Sequence, residues 1–466
     1  MHPSGERRRP VVTPRGPVAT VEPLALDGGG VFVTLGARRY AIAAAVPGDR
    51  LRVLPPRRDQ IPMRLRGTDT PALAARIAVV EPSPERVVAP CSVLLDCGAC
   101  AIQEQRYAAQ IEAKTVGLRA LLAPLGGQGE RIEVRGLARP FGYRSKLTMA
   151  TGGTSGALRF GFYARGSFGE PVAAEGCPVQ HPLTLSTLAM VRQTLDATHV
   201  APTKGNNPRI GWLHGVMVRV DPSRGAAEIT LLGRNARPPG RATFAEQLGA
   251  LPGVEGVHLN VNPRRSSYAL GDAFVHLAGA PRMTFTLAGH AFRLSPGSFF
   301  QTSHEGAEVL AAAVLELLPE EMRCLADLYG GVGVFSRLTV GRWERALVAE
   351  ANPHAIADLR ADLASGTHLP LRVIPGRVEQ TIHRVLDAQP DVILLDPPRR
   401  GTQPKVLGEI GGAAPDRVVY IACGMEALVT DATRLRRAGY RIDRVIGVDM
   451  FPHTPHLEVV CSFRRA

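Results

Sequence analysis

The sequence predicts an α/β chain in which a doubly wound parallel sheet follows a small β-barrel and a β-rich central domain. Three observations support this division. After Phe299 strands alternate with helices and include a glycine-rich turn, the pattern of a parallel sheet covered on both faces. Short apolar runs separated by Gly and Pro fill the first 80 residues. Between about Arg131 and Leu287, apolar and polar residues alternate, which predicts an antiparallel, β-rich domain.

Composition and charge narrow the class of protein. The 466 residues are 45% hydrophobic and carry a net charge of +13, which favours a polyanionic partner, most often nucleic acid. The first 80 residues hold 13 arginines against 6 acidic residues, which predicts a basic front module. Neither a secretory signal nor an apolar stretch of about 20 residues is present, so we expect a cytoplasmic protein without a membrane span.

The front module is predicted to be a small β-barrel over residues 16–82. Residues 1–16 are rich in Arg and Pro and are expected to be disordered. The barrel pattern, with four or five short strands, fits an oligonucleotide-binding barrel, and a structural or protein-binding barrel fits it nearly as well. A Pro-rich stretch near residues 82–90 is the predicted linker to the next domain.

Seven cysteines, an odd number, favour a reducing compartment in which thiols bind metal or react. Three of them lie close together and a fourth precedes a proline: Cys91, Cys97, Cys100 and Cys177. This set suits an iron–sulfur cluster, for which thiolate is the usual ligand. Structural zinc is the alternative, although zinc sites usually bring two CxxC pairs and only one exists here. Unligated thiols are the remaining interpretation.

The central domain, residues 83–290, is predicted to begin with a helix over 103–123. Its apolar face can pack on the last domain and holds Tyr107, Ile111, Leu118 and Leu121. The opposite face is expected to be solvated and holds Arg106, Lys114 and Arg119.

Aromatic and basic side chains interleave at residues 141–150 and 159–168. The pattern fits either a surface for single-stranded RNA or an ordinary half-buried sheet. The residues are Phe141, Tyr143, Phe160, Phe162 and Tyr163 with Arg144, Lys146, Arg159 and Arg165.

The last domain, residues 291–466, has the pattern of a Rossmann-like, doubly wound fold. CLADLYGGVGVFS (324–336) gives a strand, a glycine-rich turn and the start of a helix. A second strand ends at Glu350, a spacing that lets a carboxylate hold the ribose hydroxyls of a bound nucleoside. Because GVG lacks a full dinucleotide fingerprint, the turn favours S-adenosylmethionine over NAD.

Two further strands of this domain end in reactive side chains. DVILLDPPRRG (391–401) is a buried strand that ends in Asp396, where a parallel sheet binds its ligands. At 418–435, Cys423 stands between a strand and a helix. The helix dipole is expected to favour its thiolate, and a small buried cysteine is the alternative. A hairpin-like tail over 445–463 carries His453, His456 and Glu458.

Five ordered motifs resemble the S-adenosylmethionine-dependent RNA uracil-5-methyltransferases: SFFQ (298–301), DLYGGVGVFS, LLDPPRRG, the YIACG thiol and DMFPHTPHLE. The resemblance covers nearly the whole chain. The barrel looks like a TRAM domain, and the four cysteines match the iron–sulfur ligands of members that modify 23S ribosomal RNA. The resemblance implies that Cys423 is the nucleophile and Glu458 the general base. The residues implied to line the cofactor and base pocket are Gln301, Tyr329, Glu350 and Asp396.

The reaction implied by this resemblance requires these residue types. C5 of uracil is a poor nucleophile, so a thiolate adds first at C6 and makes C5 able to attack the sulfonium methyl. The C5 proton must then leave, which needs a base. His453 and His456 are rivals by residue type, and the family motif favours Glu458. Gln301 can pair with the O4 and N3–H edge of uracil, and a uridine in folded RNA would have to flip out.

Several positions depart from the family pattern without removing the nucleophile or the base. Gly330 stands where Cys is common, and Ser303 stands where Asn is usual. Gly424 and Met425 replace the usual Asn-Pro after the nucleophile, and Arg377 stands where an acidic or amide residue often contacts adenine.

The sequence therefore predicts a monomeric enzyme that methylates C5 of a uridine in RNA, with 23S ribosomal RNA favoured by the resemblance. A uridine of transfer RNA is one alternative, and a non-catalytic RNA-binding iron–sulfur protein is another. Base N-methylation would leave the thiol idle, and its usual motif has an aromatic where Arg399 stands. The usual cytosine-C5 motif would need a cysteine after the proline of the Asp396 turn, and none stands there.

Overall fold

The computed structural model describes residues 16–26, 30–57, 71–126, 132–164, 171–203, 211–263, 270–366 and 369–466. The predicted disordered start lies outside these residues apart from Gly16, and Arg165 of the predicted RNA surface also lies outside them. Among the described residues, no helix combines the length and the apolar character needed to cross a membrane.

Five strands near the amino terminus form a small, nearly closed sheet: β1 (Val18–Thr20), β2 (Val31–Leu35), β3 (Arg38–Ile42), β4 (Arg50–Leu54) and β5 (Leu73–Glu81). Their order is β1-β4-β5-β3-β2, and a bridge between Val21 and Val33 joins the two edges. Leu51 and Val53 alternate with exposed neighbours and are fully buried, as the two-residue period of a strand requires. This sheet agrees with the predicted small barrel.

The helix α1 (Tyr107–Leu122) connects the barrel to the rest of the molecule. Leu118 and Leu122 are fully buried, in a core that they share with Leu24 and Leu26 of the barrel segment. The approach is close, because a Cβ at Gly117 would lie 3.0 Å from Leu26 Cγ. The barrel and this helix therefore pack as one hydrophobic unit.

The prediction of a solvated face on α1 is wrong at Lys114. Its side chain is fully buried, and its Nζ donates to Asp449 Oδ1 at 2.6 Å. A buried ammonium needs an opposite charge beside it. Asp449 lies 335 residues further along the chain, so the local pattern of the helix could not reveal the pair. Ile111 and Leu121, predicted for the apolar face, are only half-buried.

The strand β6 (Ile132–Arg135) precedes a seven-stranded central sheet. The strands of that sheet are β7 (Lys146–Thr154), β8 (Ala157–Phe162), β9 (Val172–Ala173), β10 (Leu213–Asp221), β11 (Ala226–Gly233), β12 (Val254–Val261) and β13 (Ala273–Gly279). Their order is β13-β12-β11-β10-β7-β8-β9. The helices α2 (Pro182–Ala197) and α3 (Arg241–Gly249) pack against it, and a hairpin of β14 (Met283–Leu287) and β15 (His290–Leu294) follows.

The β-rich character of this region matches the prediction, but its antiparallel pattern is incomplete. β11 and β12 pair in parallel, with Ile229 opposite Val257. The alternation of apolar residues within one strand does not specify the direction of its neighbour, and two helices also interrupt the predicted run of strands.

An eight-stranded sheet forms the carboxyl-terminal part. Its own strands are β16 (Met322–Leu328), β17 (Trp343–Glu350), β18 (Leu371–Pro375), β19 (Val392–Leu395), β20 (Arg417–Ala422), β21 (Tyr440–Val448) and β22 (Glu458–Arg465). Its helices are α4 (His304–Leu317), α5 (Val334–Leu338), α6 (Pro353–Ala364), α7 (Val378–Leu386), α8 (Pro404–Ala413) and α9 (Met425–Arg437).

The strand order of this sheet is β18-β17-β16-β19-β20-β22-β21-β6. The chain runs outward from β16 to β18, then returns to β19 on the other side, so the direction of winding switches between β16 and β19. Ligands of doubly wound sheets bind at such a switch point. β22 is antiparallel to both neighbours, and β6 extends the edge in parallel with β21. The predicted doubly wound α/β fold is confirmed.

Candidate active site

Four predicted site residues stand at the carboxyl ends of parallel strands. Tyr329 follows β16, Glu350 ends β17, Asp396 follows β19 and Cys423 follows β20. The registers pair Leu328 with Leu395 and Leu395 with Tyr420, so the four strands end near one edge of the sheet. The sheet therefore gathers these side chains at the switch point.

Glu458 reaches this edge because β22 runs against β20. The two strands pair Ala422 with Val459, and continuing that register by one residue places Cys423 opposite Glu458. Glu458 is buried, whereas Cys423 is half-buried. A thiol and a carboxyl separated by 35 residues of sequence thus become neighbours through one antiparallel pairing.

The carboxyl groups at this edge of the sheet hold their protons more tightly than they would in water. Burial raises the pKa of Glu458 to about 8, and the nearby Asp396 adds to the effect while Arg399 opposes it. Burial also raises the pKa of Asp396 to about 7, with contributions from Asp327 and Glu350. Both groups therefore titrate near neutral pH, which is typical of catalytic acids and bases.

The thiol of Cys423 lies in a negative field, in contrast to the expectation from the helix dipole. Its pKa is raised to about 11, first by burial and then by Glu458 and Asp396, and Arg399 partly opposes these effects. The first turn of α9 begins only at Met425. The two carboxyl groups and the loss of water therefore outweigh the dipole, and the expected thiolate is wrong for the protein without substrate.

The glycine-rich turn after β16 is closely packed. Tyr329 has a positive φ of 61°, which is unusual for a residue with a side chain, and its hydroxyl donates to Glu379 Oε1 at 3.1 Å. Gly331 N donates to Glu350 Oε2 at 2.9 Å. A Cβ at Gly330 would lie 2.8 Å from Asp327 Cγ. A side chain would therefore clash at this position, which explains why glycine stands where the family commonly has Cys.

Two cavities open at this edge of the sheet. The thiol cavity, about 710 Å³, is lined by Cys423, Arg399 and His456 and extends to Leu26 of the barrel segment. The turn cavity is smaller, about 60 Å³, and its lining includes Phe299, Gln301, Tyr329 and Asp396. Three predicted pocket residues thus share one cavity. Cys423 lines the other, and Glu350 and Glu458 line neither.

The two histidines that rival Glu458 as base are both occupied. His453 Nε2 lies 3.0 Å from Pro140 O, and its Nδ1 lies 3.1 Å from Gln110 Nε2. His456 Nδ1 lies 3.0 Å from Arg399 Nη2, which can only donate. Burial lowers the pKa of each ring to about 4. Glu458, with the higher pKa, is the stronger base.

Ser303 and Gly424 are departures from the family pattern that have structural explanations, whereas nothing in the structure explains Arg377. Ser303 caps α4, because its Oγ accepts from Gly306 N at 2.9 Å. A Cβ at Gly424 would lie 2.2 Å from Arg399 O, so the loop after Cys423 packs against the turn that follows β19. Arg377 is the exposed N-cap residue of α7.

The four predicted metal ligands lie in one neighbourhood. Cys97, Cys100 and Cys177 are buried, and Cys91 is half-buried. The pKa of Cys100 is raised to about 12, first by burial and then by the other three thiols, and Arg144 partly opposes this rise. In the part of the chain that the structure describes, no three His, Cys, Asp or Glu side chains converge on a common point for a metal ion.

The aromatic rings of the predicted RNA surface are buried or half-buried. Tyr143 and Phe160 are buried, and Phe141 stacks on His453 with the ring centroids 4.2 Å apart. Phe162 and Tyr163 are half-buried. Buried rings cannot stack on bases, so the alternative of a half-buried sheet describes this region better.

The sequence interpretation missed two side chains at the site. Arg399 opposes the raised pKa values of both Cys423 and Glu458. Phe299 is 61% exposed at the rim of the turn cavity, and Lys146 lies 6.0 Å from its ring. The available signals were an arginine after the Asp-Pro-Pro turn and an aromatic two residues before Gln301.

Comparison with known proteins agrees with this geometry. Residues 381–465 match the family model for tRNA (uracil-5-)-methyltransferase. An uncharacterised RNA methyltransferase of Thermosynechococcus vestitus is 31% identical over 425 residues, covering 90% of this chain and 91% of the relative. One from Gloeobacter violaceus is 31% identical and covers 95% of each chain.

A solved structure shows the same fold. The Pyrococcus abyssi tRNA (uracil-54, C5)-methyltransferase, determined in complex with S-adenosyl-L-homocysteine, superimposes with a TM-score of 0.73. It is 22% identical, and the match covers 96% of this chain and 100% of that one. The predicted class of enzyme is confirmed by the full-length relatives and by the family match over the segment that carries Cys423 and Glu458. The chain belongs to the RNA methyltransferases and carries the uracil-5-methyltransferase family domain.

Proposed function

We propose that this enzyme transfers a methyl group from S-adenosylmethionine to C5 of a uridine in RNA through a covalent bond between Cys423 Sγ and C6 of uracil. Glu458 is the base that removes the C5 proton. The observation that carries this proposal is the register of β20 and β22, which sets Glu458 opposite Cys423. A nucleophile and a base at the ends of two neighbouring strands of one sheet suit a reaction that needs both groups at adjacent ring atoms.

The order of steps follows from the chemistry of uracil. Cys423 gives its proton to solvent at the open thiol cavity, and the thiolate adds to C6, which makes C5 an enolate carbon able to take the methyl group. S-Adenosylmethionine supplies that methyl group as an electrophile, and S-adenosylhomocysteine is the leaving group. Glu458 then takes the proton from C5, the Sγ–C6 bond breaks, and the ring leaves as 5-methyluracil. With a pKa of about 8, the ionised carboxylate of Glu458 is a stronger base than an ordinary carboxylate, and the fraction in that form grows as the pH rises toward 8.

The residues of the turn cavity fit a nucleoside cofactor and a uracil edge. The carboxylate of Asp396 makes no hydrogen bond with the described residues, although it lies beside Tyr329 and Gln301 in the cavity lining. Glu350 already accepts hydrogen bonds from Ala351 N and Asn352 N, which fixes its orientation. We assign Glu350 to the ribose, Asp396 and Tyr329 to the cofactor pocket, and Gln301 to the O4 and N3–H edge of uracil.

The four cysteines fit a [4Fe–4S] cluster. The influence of the other three thiols on the pKa of Cys100 shows that the four lie near one another, and a [4Fe–4S] cluster takes one thiolate at each of its four irons. Buried donors without partners among the described residues surround them: Gln103 Nε2, Gln180 Nε2 and Arg144 Nε. Such donors can bond to the sulfur atoms of a cluster. Cys91, Cys97, Cys100 and Cys177 would hold it, and it would supply a rigid, electron-rich cross-link.

Anaerobic purification tests the metal assignment. We expect a brown protein that contains iron and acid-labile sulfide in roughly equal amounts, and the colour should disappear in Cys97→Ser. A colourless protein that contains about one zinc ion would refute the cluster.

The proposed substrate is 23S ribosomal RNA, with transfer RNA as the second candidate. The cysteine set and the barrel support the former by their resemblance to the ribosomal RNA enzymes, whereas the Pyrococcus abyssi neighbour acts on transfer RNA. A TRAM role for the barrel, a cytoplasmic location and a monomeric state remain predictions. Mapping of 5-methyluridine in both RNA classes from a deletion strain distinguishes the two substrates.

Substitution of the nucleophile tests the reaction itself. Cys423→Ala should abolish transfer of labelled methyl groups to RNA while leaving RNA affinity unchanged, because only the addition to C6 needs the sulfur. Cys461→Ala is the matched control, since that thiol is buried in β22 and lines neither cavity. Normal turnover by Cys423→Ala would end the proposal.

A further inference from the structure

His453 is a buried residue whose contacts suit anchoring and not proton transfer. Its backbone has a φ of 69°, in the left-handed region that favours glycine, and the residue is 2% exposed. A strained conformation of this kind persists only where surrounding contacts hold it. His453 lies in the loop between β21 and β22, five residues before Glu458. Residues 449–458, which end at the proposed base Glu458, form the base segment.

Both backbone polar groups of His453 bind outside the base segment. Its N–H donates to Gln110 Oε1 of α1 at 2.9 Å. Its carbonyl oxygen accepts hydrogen bonds from Ala101 N and Ile102 N, each at 3.1 Å. Because Ala101 and Ile102 directly follow Cys100, the cysteine-bearing loop is tied by two hydrogen bonds to the base segment.

The imidazole ring is held equally firmly. Pro140 O can only accept, so His453 Nε2 donates to it; Gln110 Nε2 can only donate, so His453 Nδ1 accepts from it. This pattern requires the neutral ring with its hydrogen on Nε2. Phe141 stacks against the ring at 4.2 Å. Each polar atom of His453 is engaged, and none remains to take a proton from a substrate.

Two neighbouring contacts hold the same side of the base segment. The Tyr143 hydroxyl donates to Pro452 O at 3.2 Å, and the buried Lys114 pairs with Asp449. On the other side, Phe451 meets His456 edge to face, and His456 lines the thiol cavity. The segment is therefore fixed on one side by α1 and residues 140–143 while its other side forms part of the site.

We propose that His453 is a positioning residue that fixes Glu458 relative to Cys423 and links this geometry to the loop carrying Cys91, Cys97 and Cys100. The inference rests on the proposed function, because it assigns Glu458 the removal of the C5 proton. Cys423 directly follows β20, and the parallel pairing of β20 with β19 holds that strand independently of the loop in the base segment. Loosening the anchor therefore slows proton removal and leaves addition of the thiol to C6 intact.

The test uses the full-length protein with His453 replaced by Asn. Asparagine tolerates the left-handed backbone, so His453→Asn removes the ring contacts without adding strain. We expect kcat to fall roughly tenfold to a hundredfold while the KM for S-adenosylmethionine stays within about twofold. An RNA–protein adduct that survives SDS should accumulate beyond the wild-type amount, because addition continues and release is slow.

Two further variants complete the test. Tyr143→Phe removes only the hydroxyl that binds Pro452, keeps the ring, and should give the same adduct accumulation to a smaller extent. His290→Asn changes an exposed histidine of the β14–β15 hairpin and should match the wild type. If His453→Asn fails to fold, Tyr143→Phe decides the outcome in the same way.

Wild-type step rates in both His453→Asn and Tyr143→Phe, or a parallel loss of adduct and product in them, would overturn the positioning role. Failure of the proposed function looks different: the wild-type protein itself would form neither 5-methyluridine nor an RNA adduct.

Discussion

Cys423 shows how a single reactive residue depends on charges that come from distant parts of the sequence. Glu458 and Asp396 hold its pKa near 11 together with burial, and Arg399 only partly offsets them. A thiol in this environment stays protonated in the absence of substrate. The protonated thiol is less susceptible to oxidation, because the thiolate is the form that reacts with oxidants.

The reactivity of this thiol should change when its negative neighbour is removed. Glu458 ionises near pH 8, below the pKa of Cys423, so the thiolate forms beside a carboxylate. Glu458→Gln removes that charge and should shift the pH profile of Cys423 alkylation by iodoacetamide downward, on the order of one pH unit. Mass spectrometry of the modified peptide measures the shift.

The control for this experiment is Glu246→Gln, an exposed carboxylate on α3. Its profile should coincide with that of the wild type. An unchanged or upward-shifted profile in Glu458→Gln would show that Glu458 does not act on the thiol.

Cys423 and Glu458 could be selected as candidates from the sequence because each stands in a short ordered motif. Their electrostatics could not be predicted. The pKa of the thiol depends on the pairing of β20 with β22 and on the strand that ends at Asp396, and neither neighbour is visible in the residues around Cys423. The same limit applies to Lys114, whose partner Asp449 comes from the far end of the chain.

Among the secondary-structure elements, the turn between β16 and α5 depends most on backbone conformation. Gly333 is the N-cap residue of α5 and has a φ of 70°, and a Cβ there would lie 3.2 Å from Leu359 Cδ1. A side chain at this position is strained by its backbone and crowded by α6. The turn can approach a bound nucleoside only while this conformation is kept.

Gly333→Ala should lower the free energy of unfolding by about 1–2 kcal/mol and weaken the binding of S-adenosylmethionine. Chemical denaturation and calorimetric titration measure the two effects. Gly408→Ala is the matched control, because Gly408 lies within α8 with open space around it. That change should raise stability by up to about 1 kcal/mol. Equal behaviour of the two variants would refute the role of the turn.

The strands and helices of the last domain follow from the sequence because their apolar runs are long and their breaks contain Gly or Pro. The central region was harder to predict. Alternation indicates a strand but not the direction of its neighbour, so the parallel pair β11–β12 could not be foreseen. The addition of β6 to the edge of the last sheet is also a tertiary contact without a local signal.

For the molecule as a whole, the barrel, the cysteine loop and the last sheet meet around α1. Leu118 of this helix shares a core with the barrel, Gln110 holds His453, and Lys114 holds Asp449. The front regions therefore position the base segment as well as extending the surface of the molecule. Gln110 thereby contacts the segment that ends at Glu458, although the two residues are far apart in the sequence.

In the covalent mechanism, addition to C6 depends on Cys423, whereas release of the methylated uridine depends on Glu458. Glu458→Gln keeps Cys423 and removes the base. When this variant reacts with RNA and S-adenosylmethionine, an RNA–protein adduct should survive SDS and carry the transferred methyl group, because C5 keeps its proton. Little 5-methyluridine should be released, and Glu246→Gln should behave as the wild type. Release of 5-methyluridine by Glu458→Gln at the wild-type rate, with no adduct, would contradict the assignment of Cys423 and Glu458 to one covalent cycle.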